Sequence, residues 1–223
     1  MQVLIKPILL IVICFFAIAC ANDNERSTAD QAADAVFFQG RIIYKYEFES
    51  TGLDADSLAL LRAKRSEMLI GNGNYHFTFF GIDTTIYVYN GEEGYCYFRR
   101  PAWDGFRCMD YKVWDDTLKT ITKLGEGEKI LGMQSLQLKF EATYAKTVYN
   151  LSVDHKLDPE KYAKHASTHF NKVLKEGNGG IALKSTYEFP RFTVIETATE
   201  VTPMNIDPML FLVPVSMVMI KCR

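Results

Sequence analysis

The chain carries no surplus of basic charge and no apolar run long enough to cross a bilayer as a helix. It also has few of the residues that most often do chemistry: four histidines, five cysteines and two tryptophans in 223 residues. Each shortage excludes something. With 25 Lys and Arg against 27 Asp and Glu, the formal charge is −2. A phosphate backbone is neutralised by clustered cations, so nucleic acid is not an expected partner. The most apolar stretch, residues 8–19, is twelve residues long, whereas a helical span needs about 20. The sequence has no Gly-rich phosphate loop, no nucleophile elbow and no Cys-x-x-Cys pair. No residue set assembles an acid, a base and a nucleophile, so an enzyme is not expected, and no cofactor or metal is implied.

What is present begins at the amino terminus. Lys6 and Pro7 precede the twelve apolar residues, and Ala17-Ile18-Ala19 leads into Cys20. These are the length and flanks of a secretory signal peptide. The small residues before a cysteine resemble a bacterial lipobox, in which cleavage leaves Cys20 as an acylated (palmitate-type) amino terminus. The expected organisation is a signal peptide over 1–19, a tether over 20–35 and a single domain over 36–223. Residues 21–35 are small, polar and acidic, and bury nothing. Ala21, rather than Asp, follows Cys20. By the same resemblance, this points to a lipid anchor in the outer membrane, on its periplasmic or its surface face.

An envelope location is oxidising. Cys96 and Cys108 flank the turn-rich segment YCYFRRPAWDGFRCMDY and are the candidate disulfide, facing each other across a hairpin, with Cys222 left over. The body alternates apolar and polar residues, as half-buried strands do. Phe38, Ile42, Tyr44, Tyr46 and Phe48 share one face. Ile82, Ile86 and Val88 oppose two tyrosines. Leu136, Leu138, Phe140, Ala142 and Tyr144 share a face, as do Ala145, Tyr149, Leu151 and Val153, and then Ile181, Leu183, Tyr187 and Phe189. Shorter strands are predicted at 67–71, 75–80, 94–99, 106–113, 192–202 and 215–221. Asn72-Gly73 and the Asn90-to-Gly94 segment supply hairpin turns.

Two helices interrupt the meander. Residues 158–176 start at Asp158 and Pro159, stop at Gly177, and carry one apolar stripe of Tyr162, Ala166, Phe170, Val173 and Leu174. A shorter helix is predicted over 56–65. The fold class is mainly β with helices: a curved antiparallel sheet, a half-barrel wrapping one or two helices.

His165 and His169 stand four apart, but without the glutamate of the zinc-protease motif. Helical angles place them at the edge of the apolar stripe, in a boundary or solvated role. Glu92-Glu93 and Asp115-Asp116 read as solvated turns, and Trp103 as part of a packed turn. The closing segment holds Met204, Met209, Met217 and Met219 among Ile206, Leu210, Phe211, Leu212 and Val213. It reads as core plus a final strand, or as an adaptable apolar surface.

Three segments carry a family resemblance. Phe38-Gln39-Gly40-Arg41-Ile42-Ile43-Tyr44 resembles the opening strand of uncharacterised Bacteroidota-type envelope lipoproteins. Glu128-Lys129-Ile130-Leu131-Gly132-Met133-Gln134 resembles their mid-chain strand start, and residues 206–214 their closing segment. In layout these proteins are similar to the lipoprotein carriers and receptor of the Lol pathway. That resemblance implies an antiparallel half-barrel around helices, with an apolar cavity for acyl chains. Tyr44, Tyr46, Phe48, Leu138, Phe140 and Phe170 are the cavity-lining candidates. The expected function is non-enzymatic binding of a lipid or other amphipathic ligand by a membrane-anchored lipoprotein. The alternative is a structural or protein-interaction module with a side-chain-filled core. No protein partner can be named from the sequence.

Overall fold

The structure, a computed structural model, describes residues 37–50 and 63–222. The signal peptide, Cys20, the tether and the helix predicted across residues 56–62 lie outside the described residues; Arg65, its expected last residue, opens a strand.

Among the described residues twelve strands form: β1 (Gly40–Ser50), β2 (Arg65–Gly71), β3 (Asn74–Phe80), β4 (Thr85–Asn90), β5 (Tyr95–Arg99), β6 (Phe106–Asp110), β7 (Leu118–Glu126), β8 (Ser135–Ala142), β9 (Lys146–Lys156), β10 (Gly180–Glu188), β11 (Phe192–Pro203) and β12 (Val218–Ile220). They make one sheet in the order β12-β6-β5-β4-β3-β2-β1-β11-β10-β9-β8-β7. Two meanders are therefore joined where β11 pairs antiparallel with β1. The sheet is large, curved and unclosed. Bulges at Ile43/Tyr44 and along β9–β10 sharpen the bend. The β2–β3 hairpin turns on Asn72 (φ 50°) and Gly73 (φ 81°), the two positive-φ residues that match strand twist.

Between β9 and β10 the chain crosses onto the concave face. Asp158 caps the first 3₁₀ turn (Pro159–Tyr162) by accepting from the Glu160 N–H at 3.0 Å. A second 3₁₀ turn, Ser167–His169, leads into the helix α1 (Phe170–Glu176). The predicted nineteen-residue helix is thus a broken plug. Thr168 and His169 adopt φ of 54° and 60°, and the Ala166 and Ser167 N–H groups donate to the Tyr111 carbonyl of the sheet instead of to a helical turn. The plug still buries its apolar side. Tyr162 and Leu174 pack with Ile42, Tyr44, Ile70, Tyr75 and Tyr89. Val173 packs with Leu138, Phe140, Tyr149 and Leu151. Gly177 allows the close approach, because a Cβ there would lie 2.1 Å from Leu151 Cδ1.

Three sequence readings need correction. β7 was not predicted: bulges at Leu118/Thr120 and Lys123/Gly125 break the period of two, so Leu118 and Ile121 pack on the core while Lys123 pairs with Leu138 and Leu124 stands exposed. In β4 the inward face belongs to Tyr87 and Tyr89, paired with Phe77 and Tyr75, while Ile82 precedes the strand and is 74% exposed. The disulfide joins Cys108 to Cys222, not to Cys96. In the β5–β6 register Cys96 faces Met109, and Cys108 faces Tyr97. The two cysteines therefore point to opposite sides of the sheet. Cys96 is fully buried on the concave side, and burial pushes its thiol up to about 12. The bridge fastens β12, which pairs parallel with β6, to that strand.

Candidate functional site

Directly paired residues share a face of an antiparallel sheet, so the register assigns the concave surface strand by strand. Toward one rim the plug covers it. Toward the other the same face continues without cover from the plug. Here Tyr46 (β1), Phe77 and Phe79 (β3), Tyr87 (β4) and Phe98 (β5) are half-buried. Their rings form a continuous row. Tyr46 lies 5.9 Å from Phe79, Phe79 5.6 Å from Tyr87, and Tyr87 stacks on Phe98 at 5.8 Å. The row ends on Trp103, 5.1 Å from Phe98, with the Arg107 guanidinium 3.8 Å from the Trp103 ring centre. Trp103 thus belongs to a packed turn. On the other side of β1, Phe48 pairs with Val194 and Val194 with Tyr187; all three are half-buried. Together these residues line a trough.

A polar row crosses the floor of the trough at the edge of the plugged half. Tyr46 pairs with Glu196, Glu196 with Ser185, and Ser185 with Tyr149. The Glu196 carboxyl accepts from the Tyr46 hydroxyl at 2.6 Å and from the Tyr187 hydroxyl at 3.3 Å. The Tyr46 hydroxyl also lies 2.8 Å from Ser66 Oγ. Glu196 is 9% exposed. Burial raises its pKa above the ordinary carboxylate value, opposed by the hydroxyl hydrogen bonds. Tyr46 and Tyr187 are pushed up as well, by burial first and then by the neighbouring carboxylate. The sequence analysis missed Glu196. Its signal was a charged residue on the same parity as Phe192, Val194 and Ala198.

The six cavity-lining candidates divide. Tyr46 and Phe48 are half-buried on the part of the concave face that carries the aromatic row. Tyr44, Leu138 and Phe140 are buried at 4, 0 and 3% exposure and belong to the packed core. Phe170, half-buried, is the first residue of α1 and packs within the plug against Tyr162 and His165.

His165 is not at a boundary. It is 4% exposed, its Nε2 2.9 Å from the Tyr75 hydroxyl, its ring against Tyr89, Tyr111 and Phe170. Burial drives its pKa down to about 3. Among the described residues no group of three or more His, Cys, Asp or Glu side chains could hold a metal.

The closing segment is part core, part strand and part exposed surface. Ile206 and Phe211 are buried, Val218–Ile220 forms β12, and Met204, Met209, Met217 and Met219 stand exposed. Beside it, a rim pocket of about 570 Å³ opens between the 72–74 and 90–92 turns, Lys161 and Leu212. None of the six candidates lines it.

An open antiparallel half-barrel, plugged on one half of its concave face and aromatic on the other, is the class of protein that this geometry defines. No family model matches the chain, and no curated protein matches it. Solved structures give distant likenesses. PNGF-II is 11% identical with a TM-score of 0.47 over 78% of this chain. This chain spans only 29% of the length of PNGF-II. LprF from Mycobacterium bovis is 10% identical with a TM-score of 0.31, covering 75% of this chain and 89% of its own. The Mycobacterium tuberculosis lipoprotein LppX is 10% identical with a TM-score of 0.32, covering 80% and 93%.

Proposed function

We propose that this protein is a non-enzymatic envelope lipoprotein that binds the apolar chain of a lipid or similar amphiphile in the trough of its half-barrel. In this reading Cys20 carries the acyl anchor, residues 20–35 are the tether and the outer membrane is the site of attachment. The observation that carries the proposal is the half-buried row Tyr46–Phe79–Tyr87–Phe98–Trp103, a contiguous aromatic surface that the plug leaves uncovered. The energetics support it. A dodecyl chain gains about 0.8 kcal/mol per buried CH₂, roughly 10 kcal/mol in all. Association costs at least about 4 kcal/mol of that, which leaves at most about 6 kcal/mol from the chain alone, binding of the order of tens of micromolar or weaker.

The test is native mass spectrometry of the chain from Asp23, secreted without acylation and purified without detergent. Extra mass that dissociates as a lipid or another amphiphile is the expected result. A single unliganded mass, with no uptake from added lipid, rules out the carrier role.

One observation favours a second reading, that of a protein-interaction module. β7 is a nine-residue edge strand with seven exposed residues, and an open edge of this length can accept a partner's strand. The packed half of the concave face suits that role equally.

A further inference from the structure

Along β2, β1, β11 and β10 the concave face carries a polar row of Ser66, Tyr46, Glu196 and Ser185. A carboxyl buried beside aromatic rings is costly unless something answers it. Two tyrosine hydroxyls donate to Glu196, and no cation does: among the described residues Glu196 enters no ion pair. The Arg107 guanidinium lies against Trp103 at the opposite end of the aromatic row. The carboxyl sits where the plug ends and the trough begins, bonded to Tyr46, the first ring of the row. A chain laid along Phe79, Tyr87 and Phe98 would bring one of its ends to this point.

We infer that Glu196, with the Tyr46 and Tyr187 hydroxyls, is a head-group subsite, and that the trough selects single-chain amphiphiles with an uncharged or cationic, hydrogen-bond-donating head over anionic ones. This rests on the trough being a binding site. The chemistry is one of acceptors. The carboxyl oxygens have lone pairs beyond those the tyrosines use, so a hydroxyl, amide or ammonium group can donate to them. A carboxylate or phosphate head brings more acceptors and a second negative charge to a carboxyl that no cation among the described residues pairs, and both the repulsion and the desolvation of the head oppose it.

The experiment uses the full chain with Cys20→Ala and follows displacement of Nile red by three ligands of one chain length: monododecanoylglycerol, dodecylamine and dodecanoate. At about pH 8, the first two should compete at about tenfold lower concentration than dodecanoate, the scale of one hydrogen bond to a charged group. Glu196→Gln, which keeps the shape and removes the charge, should shrink that gap to about threefold or less, whereas Phe79→Ala should weaken all three ligands alike. Equal competition by dodecanoate in the unsubstituted protein overturns the inference, and that comparison needs no variant to fold. So does a gap that survives Glu196→Gln in a protein with an unchanged circular dichroism spectrum. Either result with chain binding intact leaves the trough standing as a binding site. If Nile red and all three ligands fail to bind, the trough reading falls too, and the head-group subsite with it.

Discussion

Replacing Cys108 and Cys222 by serine tests how the open edge of the half-barrel is held. The bridge spans a sequence separation of 114, with its Cα atoms 5.0 Å apart. For a loop of that size the chain-entropy relation gives about 4.8 kcal/mol of stabilisation. β12 has little else to hold it. It is three residues long, two of them exposed, and its pairing to β6 is limited to Val218 and Ile220. At about 2–4 °C per kcal/mol for a domain of this size, the double variant should melt about 10–20 °C below the parent chain. Dithiothreitol should produce the same drop in the parent and in Cys96→Ala, and none in the double variant. Scanning fluorimetry reads the midpoints, and peptide mapping without reduction identifies the linked cysteines. A Cys96–Cys108 peptide would refute the face argument from the β5–β6 register. A double variant melting within about 3 °C of the parent would refute the loop-closure estimate.

Further outcomes can be checked on the same material. Leu138→Ala empties a fully buried position in the cluster with Phe140, Leu151 and Val173 and should cost about 3–5 kcal/mol in urea unfolding. Gly177→Ala drives a Cβ to 2.1 Å from Leu151 Cδ1 and 2.8 Å from the Val173 carbonyl. Its cost should be about 1–3 kcal/mol, with faster exchange of the plug amides. His165 has a folded pKa of about 3 against an ordinary 6.5. The unfolded chain therefore binds the extra proton between those values, and stability falls as pH drops through that window, by on the order of 5 kcal/mol in full. His165→Phe should flatten that part of the stability curve. Glu196 has the opposite sign. Its pKa is raised in the folded state above an ordinary 4.5, so it stabilises below that value and loses its contribution as pH rises through the folded one. The stability of Glu196→Gln relative to the parent should therefore rise with pH.

Most strands were legible because a half-buried strand writes its faces into alternate residues. Ile42, Tyr44, Tyr46 and Phe48 read inward in the sequence and are inward in the structure. The exceptions have local causes. β7 carries two bulges, and these break its period of two. The plug was read as one helix because Tyr162, Ala166, Phe170 and Leu174 fall at helical spacing. A continuous helix, however, would turn His165 about 100° away from the stripe centre. The break at Thr168 and His169 turns it in against Tyr75, Tyr89 and Tyr111 instead.

By itself the sequence determined the fold class, the inward parity of β1, β8 and β10, the Asn-Gly turn and the cap at Asp158, since each depends on residues within a few positions of one another. The tertiary structure alone decided which cysteines pair, which half of the concave face is filled, and that Glu196 meets a tyrosine 150 positions away. Period two places Tyr44 and Tyr46 on the same face equally. Whether a residue on that face is core or trough depends on where a segment a hundred positions later comes to rest, and alternation within one strand carries no information about that.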